Sequence, residues 1–243
     1  MKQKIHEGWE FKNAEYYDLI YSGKNYKKES ERVHAIIQKY CTSGGKELLD
    51  VACGTGSHIA HLKKHYRITG TDISKTMLAI ARKKYPHVKF VAGDMRSFNL
   101  KKKFDSVICL FSSVGYMKTP GNLEKAIRNF SRHLKPGGVM IIEAFVDPKA
   151  YKTGSMHAVV VDGPGMKLVR AGVSGRRGNV ALLDFHFLVV TSRGVSYFKS
   201  KHDLGLFSKP LFVRLMRKSG MRALYLKDGL MKMRGLYVGI KKR

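Results

Sequence analysis

Leu48-Leu49-Asp50-Val51-Ala52-Cys53-Gly54-Thr55-Gly56-Ser57 decides how the rest of this 243-residue chain is read. An apolar run ends in a glycine-rich turn, and the turn opens a helical segment. Glycine lets the backbone pass close to a ligand, and the first N–H groups of a helix have no partner within it. Strand, turn and helix together make a ligand-binding loop. Two cofactor classes use such a turn. A dinucleotide site carries a third glycine or alanine in G-x-G-x-x-G/A. That place holds Ile59 here, which weakens the dinucleotide reading. A P-loop is excluded, because no Gly-Lys-Ser/Thr occurs.

Working outward, strands and helices alternate. Strands are expected at Glu47–Ala52, Arg67–Thr71, Val88–Ala92, Phe104–Phe111 and Val139–Phe145, and helices at Ser57–His65, Ser74–Tyr85 and Asn122–Leu134. This rhythm implies β-α-β units and an open, mainly parallel sheet, with ligands beyond the carboxyl ends of its strands. Two polar-faced helices precede it, Asn13–Tyr21 and Lys27–Tyr40. After Phe145 the pattern changes to four antiparallel strands, His157–Val161, Met166–Ser174, Asn179–Val190 and Val195–His202, joined by glycine-containing turns. A helix at Pro210–Ser219 and strands at Met221–Lys227 and Gly235–Lys241 close the chain. The expected layout is one domain, 1–243: a helical cap (1–42), a cofactor-binding core (43–146), an inserted β-meander (147–203) and a C-terminal helix with a strand pair (204–243).

Two further acids stand at expected strand ends. Asp72, in Thr71-Asp72-Ile73-Ser74, is placed to accept from both hydroxyls of a ribose. Asp94, in Gly93-Asp94-Met95, is placed to accept from an adenine amino group, with the Met95 N–H donating to the ring.

Asp50-x-x-x-Gly54-x-Gly56, Asp72 and Gly93-Asp94-Met95, in that order and spacing, resemble the first three motifs of class I S-adenosylmethionine methyltransferases, a Rossmann-like α/β fold with a seven-stranded sheet. Tyr17-Asp18-Leu19-Ile20-Tyr21, Asp94-Met95-Arg96-Ser97-Phe98, Phe111-Ser112-Ser113-Val114-Gly115-Tyr116 and Arg234-Gly235-Leu236-Tyr237-Val238-Gly239 are similar to the TDP-amino-sugar N,N-dimethyltransferases, along nearly the whole chain. The resemblance implies S-adenosylmethionine as cofactor, contacted by Tyr21, Asp50, Ala52, Cys53, Gly54, Gly56, Asp72, Ile73, Asp94, Met95 and Phe111. It implies N-methylation of a small amine, such as a nucleotide-linked amino sugar. The segments facing the acceptor, 147–157 and the meander, match only loosely.

Methyl transfer from a sulfonium is an in-line displacement with a neutral leaving group. The protein mainly has to align nucleophile, methyl and sulfur. An amine must be unprotonated to attack, so base catalysis contributes modestly. Tyr17, Tyr116 and His202 are the candidates beside the methyl. His58, His61 and His65 are read as a solvated helix face rather than a metal set, and no metal is expected. The three cysteines are too few for a disulfide framework.

Charge is the unusual feature. Lys and Arg number 46 against 18 Asp and Glu, a net +28. Residues 148–243 hold 20 of those bases and four acids. Such a field attracts anions, which keeps an RNA or protein methyltransferase as the alternative reading. Against it, no Asn/Asp-Pro-Pro-Tyr/Phe motif follows the fourth strand, and Cys109 lies within a strand rather than beside a proline. A SAM-binding regulator without catalysis is a third class. No apolar run approaches the roughly 20 residues of a membrane span, and MKQKIHEGWE lacks the apolar stretch of a signal peptide. The expected partners are a small, anionic acceptor and no membrane, the location is cytoplasmic, and the assembly is a monomer or homodimer.

Overall fold

The computed structural model describes residues 4–5, 14–231 and 233–242. Asn13, where the first helix was expected to start, lies outside them. In chain order the strands are β1 (Lys4–Ile5), β2 (Glu47–Val51), β3 (Arg67–Asp72), β4 (Lys89–Ala92), β5 (Phe104–Cys109), β6 (Leu134–Glu143), β7 (Met156–Gly163), β8 (Met166–Arg177), β9 (Val180–Thr191), β10 (Gly194–Gly205), β11 (Met221–Leu226) and β12 (Leu236–Lys241). The helices are α1 (Tyr17–Ile20), α2 (Tyr26–Tyr40), α3 (Ile59–Leu62), α4 (Lys75–Lys84), α5 (Pro120–Arg132) and α6 (Lys209–Lys218).

Seven strands form one sheet in the order β11-β12-β6-β5-β2-β3-β4. Only β12 runs against its neighbours. The chain leaves β2 toward β3 and β4, then returns to β5 on the other side. The carboxyl ends of β2 and β5 therefore border the crevice where this class of sheet binds its ligand. The central strands are buried on both faces, as in Leu48, Leu49, Val107, Ile108 and the run Val139–Ile142. Continuous apolar runs of this kind are what helices on both sides of a parallel sheet require.

Helix ends follow local chemistry. Asn25, Ser74 and Thr119 cap α2, α4 and α5 by accepting from the N–H groups of Lys28, Met77 and Asn122. Along α5, Leu123, Ala126, Ile127 and Phe130 are fully buried, the spacing of a single helix face. Two expected helices are shorter than their patterns suggested. Asn13–Tyr21 resolves into a 3-10 turn, Ala14–Tyr16, and a single turn of α1. Ser57–His65 retains only Ile59–Leu62, flanked by turns. The chain past β5 also differs. The strand stops at Cys109, and Phe111 and Ser112 take left-handed conformations before a 3-10 helix, Ser113–Met117.

The meander forms a second sheet, β1-β10-β9-β8-β7, with β1 added parallel to β10. Strand β1 had no signal in the sequence. The inner face packs Leu168, Phe185, Phe187 and Val189 against Ile20 of α1. The outer face leaves Met156, Val160, Val173, Leu188, Val190 and Val195 exposed. Helix α1 is thus held between the meander and the glycine turn.

Candidate active site

At the carboxyl end of β2 the backbone turns sharply through Ala52 (φ 56°), Gly54 (φ 55°) and Gly56 (φ 84°). Asp72, at the end of β3, stabilises this turn. Its Oδ2 accepts from the Gly54 N–H at 2.8 Å and its Oδ1 from the Ser74 N–H at 2.8 Å. A carboxylate offers about four acceptor positions, so each oxygen keeps capacity for a second donor. Burial pushes the Asp72 carboxyl above its ordinary value, opposed by these backbone donors. Ile73, its neighbour, is 47% exposed, an apolar surface in a polar rim.

Across the opening lies Met95, buried, its carbonyl held by the Asn129 amide at 3.1 Å. Asp94 accepts from the Arg96 N–H at 2.8 Å and pairs with the Arg96 guanidinium, which holds its carboxyl below the usual range. The carboxylate expected to meet an adenine amino group therefore already has a cationic partner.

One cavity of about 930 Å³ collects Tyr17, Ala52, Gly54, Asp72, Ile73, Asp94, Met95, Tyr116 and His202. This is at the upper end for a ligand pocket and exceeds what one nucleoside fills. Asp50, Cys53 and Phe111 line a smaller adjoining cavity of about 40 Å³, together with Tyr17 and Tyr26. Asp50 is buried, and burial with the nearby charge of Asp72 pushes its carboxyl up to about 8. Tyr21 and Gly56 line neither cavity. Tyr21 packs between Tyr17 and Phe111, at centroid distances of 4.8 and 4.9 Å, and its hydroxyl accepts from Arg170 Nη1 at 3.0 Å. Gly56 shapes the turn from behind: a Cβ there would lie 2.8 Å from the Tyr85 ring.

Helix α1 is tied onto the turn. The Asp18 carboxylate accepts from Thr55 Oγ1 at 2.6 Å and pairs with Lys84 at 2.6 Å. Beneath lies a buried pair. His58 Nε2 is 2.8 Å from Glu29, which Lys24 also engages. His58 was expected on a solvated face. Because the helix shortens to one turn, this ring points inward against α2 and finds the carboxylate.

The far wall is made by β10 and the 3-10 helix. The Tyr116 hydroxyl is 2.7 Å from His202 Nδ1, and His202 Nε2 is 2.8 Å from Ser200 Oγ. Burial, with help from the Arg170 charge, pushes His202 down to about 4, so the imidazole is neutral near pH 7. Burial also raises the Tyr116 and Tyr17 hydroxyls well above their ordinary value. At the mouth, Lys118 (3.3 Å) and Arg177 (3.7 Å) share the Asp203 carboxylate, and Lys201 lines the same rim. Lys118, Lys201 and Asp203 were missed by the sequence reading. Lys201 and Asp203 come to the cavity through the register of β10, and Lys118 from the end of the 3-10 helix packed against it, and single-sequence patterns encode neither. Arg170 and Arg176, on the same strand as Arg177, are spent elsewhere. Arg176 donates to the Pro148 and Gly178 carbonyls. Arg170 lies over the Tyr21 and Phe185 rings. Among the described residues no group of three or more His, Cys, Asp or Glu could hold a metal ion, and no helix is long and apolar enough to cross a membrane.

Known proteins can be set beside this geometry. The methyltransferase domain family matches residues 48–138. The chain is 38% identical over 236 residues to the dTDP-3-amino-3,4,6-trideoxy-alpha-D-glucopyranose N,N-dimethyltransferase of Streptomyces venezuelae, spanning 96% of this chain and 99% of that protein. The crystal structure of Streptomyces venezuelae DesVI superposes with a TM-score of 0.90 at 37% identity, covering 96% of this chain and all of that one (100%). SAM-bound CalS10, an amino pentose methyltransferase from Micromonospora echinaspora involved in calicheamicin biosynthesis, superposes with a TM-score of 0.84 at 30% identity, covering 98% of this chain and 100% of that one.

Proposed function

Since the chain belongs to the S-adenosylmethionine-dependent N,N-dimethyltransferases of dTDP-amino sugars, we propose that it methylates the amino group of a nucleotide-linked amino sugar twice. The observation that carries this reading is the two-sided cavity. Its inner wall presents Asp72, Ile73 and Met95, and its rim presents Lys118, Arg177 and Lys201.

The inner wall suits S-adenosylmethionine. Asp72 has two oxygens with spare acceptor capacity for a ribose diol, and Ile73 and Met95 offer apolar surface to a purine. Gly54, at positive φ on the same cavity wall, presents backbone to the remainder, since no protein atom lies within 4 Å of where its Cβ would be. When bound, the cofactor supplies an electrophilic methyl group on a sulfonium that departs as a neutral thioether.

The protein's own part is alignment. Tyr17, from α1, and Tyr116 border the space between the cofactor wall and the rim. Lys118, Arg177 and Lys201 offset the charge of a pyrophosphate, leaving the sugar inward beside Tyr116. His202 is a poor resting base. Moving a proton from an alkylammonium of pKa about 10 to an imidazole of pKa about 4 costs about 8 kcal/mol. The acceptor therefore enters as the free amine, and proximity supplies most of the rate.

Incubation with S-adenosylmethionine and either a dTDP-linked amino sugar or the same sugar without its nucleotide tests this. The reading expects one and then two methyl groups by mass on the linked sugar, with a much higher KM for the free sugar. Transfer to RNA alone would overturn it.

A further inference from the structure

Two methyl transfers to one nitrogen pose a problem that one does not. After the first, the nitrogen is a methylammonium and cannot attack again until a proton leaves. Tyr116 faces the cavity, and behind it runs a continuous chain: Tyr116 Oη to His202 Nδ1 at 2.7 Å, then His202 Nε2 to Ser200 Oγ at 2.8 Å. A hydroxyl and a neutral imidazole each both donate and accept, so a chain built of these can reverse direction. Ser200 is half-buried and gives the chain an outer end near solvent. Around His202, Arg170 disfavours an imidazolium, Asp203 favours one, and the Phe185 ring packs 5.5 Å away.

We propose that Tyr116, His202 and Ser200 form a proton relay that clears the acceptor nitrogen between the two methyl transfers, with Ser200 as its outer positioning residue. It rests on the dimethylating amino-sugar reading above. The balance is as follows. The N–H bond of the methylammonium breaks and its proton joins Tyr116 Oη. The Tyr116 proton passes to His202 Nδ1, the Nε2 proton passes to Ser200 Oγ, and the Ser200 proton leaves on a solvent water. No electrons move, and His202 changes tautomer without becoming an imidazolium; after the dimethylated product has left, the chain resets by taking a solvent proton at Ser200 and giving one from Tyr116 Oη to water in the cavity. This route avoids the charged histidine that its surroundings disfavour. It also gives Ser200 a role that packing does not.

The test uses the full-length protein with S-adenosylmethionine and a dTDP-amino sugar, following unmethylated, monomethyl and dimethyl products by mass. In Ser200→Ala the first transfer and cofactor affinity should stay within about twofold of wild type. The second transfer should slow about tenfold and monomethyl product should accumulate. Ser200→Thr, which keeps the hydroxyl, should restore the wild-type ratio. Raising the pH should reduce the accumulation in Ser200→Ala, since hydroxide can then take the proton directly. An unchanged product ratio in Ser200→Ala, or an equal loss of both transfers, would overturn the relay while wild type still dimethylates. A wild-type protein that methylates no amino sugar would overturn the functional reading and the relay together.

Discussion

The two walls of the cavity are built by different rules. The wall proposed for the cofactor takes its key groups from residues adjacent in sequence to a strand end, and they are fixed by nearby backbone. Asp72 is held by the Gly54 and Ser74 N–H groups, and Asp94 by the Arg96 N–H. The wall proposed for the acceptor is assembled across register. His202 reaches Tyr116, 86 positions earlier, and Arg177 and Lys118 reach Asp203 from other elements. A locally encoded wall can stay constant while a register-encoded wall is rebuilt around a new acceptor. Burial also favours the neutral form of Asp50, behind the cofactor side, and of His202, on the acceptor side, and these two respond to opposite ends of the pH scale.

That opposition gives the largest expected effect. Asp50 rises from the ordinary 3.8 to about 8 on folding. The folded state then binds the extra proton, so stability falls as pH rises from about 4 through 8, by up to roughly 6 kcal/mol. His202 drops from 6.5 to about 4. Here the unfolded state binds the extra proton, so stability falls as pH drops from about 6.5 to 4, by up to roughly 3 kcal/mol. In the cofactor-free protein Asp50→Asn should raise Tm mainly at pH 8 to 9, and His202→Gln mainly at pH 4 to 5. His34, His58, His133 and His157 are also lowered by burial, so His202→Gln flattens the acid limb only in part. Thermal melts across pH in which both variants shift the same limb would break the comparison.

Asp72→Ala should come next. It removes two ribose acceptors and releases the Gly54 N–H, so calorimetry should show S-adenosylmethionine binding at least tenfold weaker, about 1.4 kcal/mol. Unchanged binding would remove Asp72 from the cofactor wall. Smaller again is Arg177→Ala, which should raise the acceptor KM about fivefold, about 1 kcal/mol, and leave cofactor affinity unchanged. Arg176→Ala sharpens this, because its guanidinium is committed to the Pro148 and Gly178 carbonyls. Its acceptor KM should move less than that of Arg177→Ala. Equal effects in the two variants would mean general surface charge, not the rim, draws the acceptor in.

The same division explains what could be read from sequence. The parallel core, the meander and the closing strand pair are legible because hydrophobic periodicity and glycine turns are local signals. The three acids are legible because each stands at a strand end. Helix lengths near the site are not. Ser57–His65 carries helical spacing, yet only Ile59–Leu62 is helical and His58, just before it, is buried against Glu29. Lys118 and Lys201 sit in an otherwise lysine-rich chain, and nothing local separates a rim lysine from a solvated one. His202 could be singled out in the sequence, but its Ser200 partner two residues away could not, because a serine in a strand carries no pattern of its own.

The glycines of this chain also set how its gene can vary. At position 56 both the backbone angle and the Tyr85 ring exclude a side chain, so two independent filters act on one codon. At position 54 only the angle acts, and the space beyond is open. At position 23 neither acts. In a saturation library selected for folded protein, position 56 should return almost nothing but glycine, position 54 should admit some asparagine and aspartate, and position 23 should drift freely.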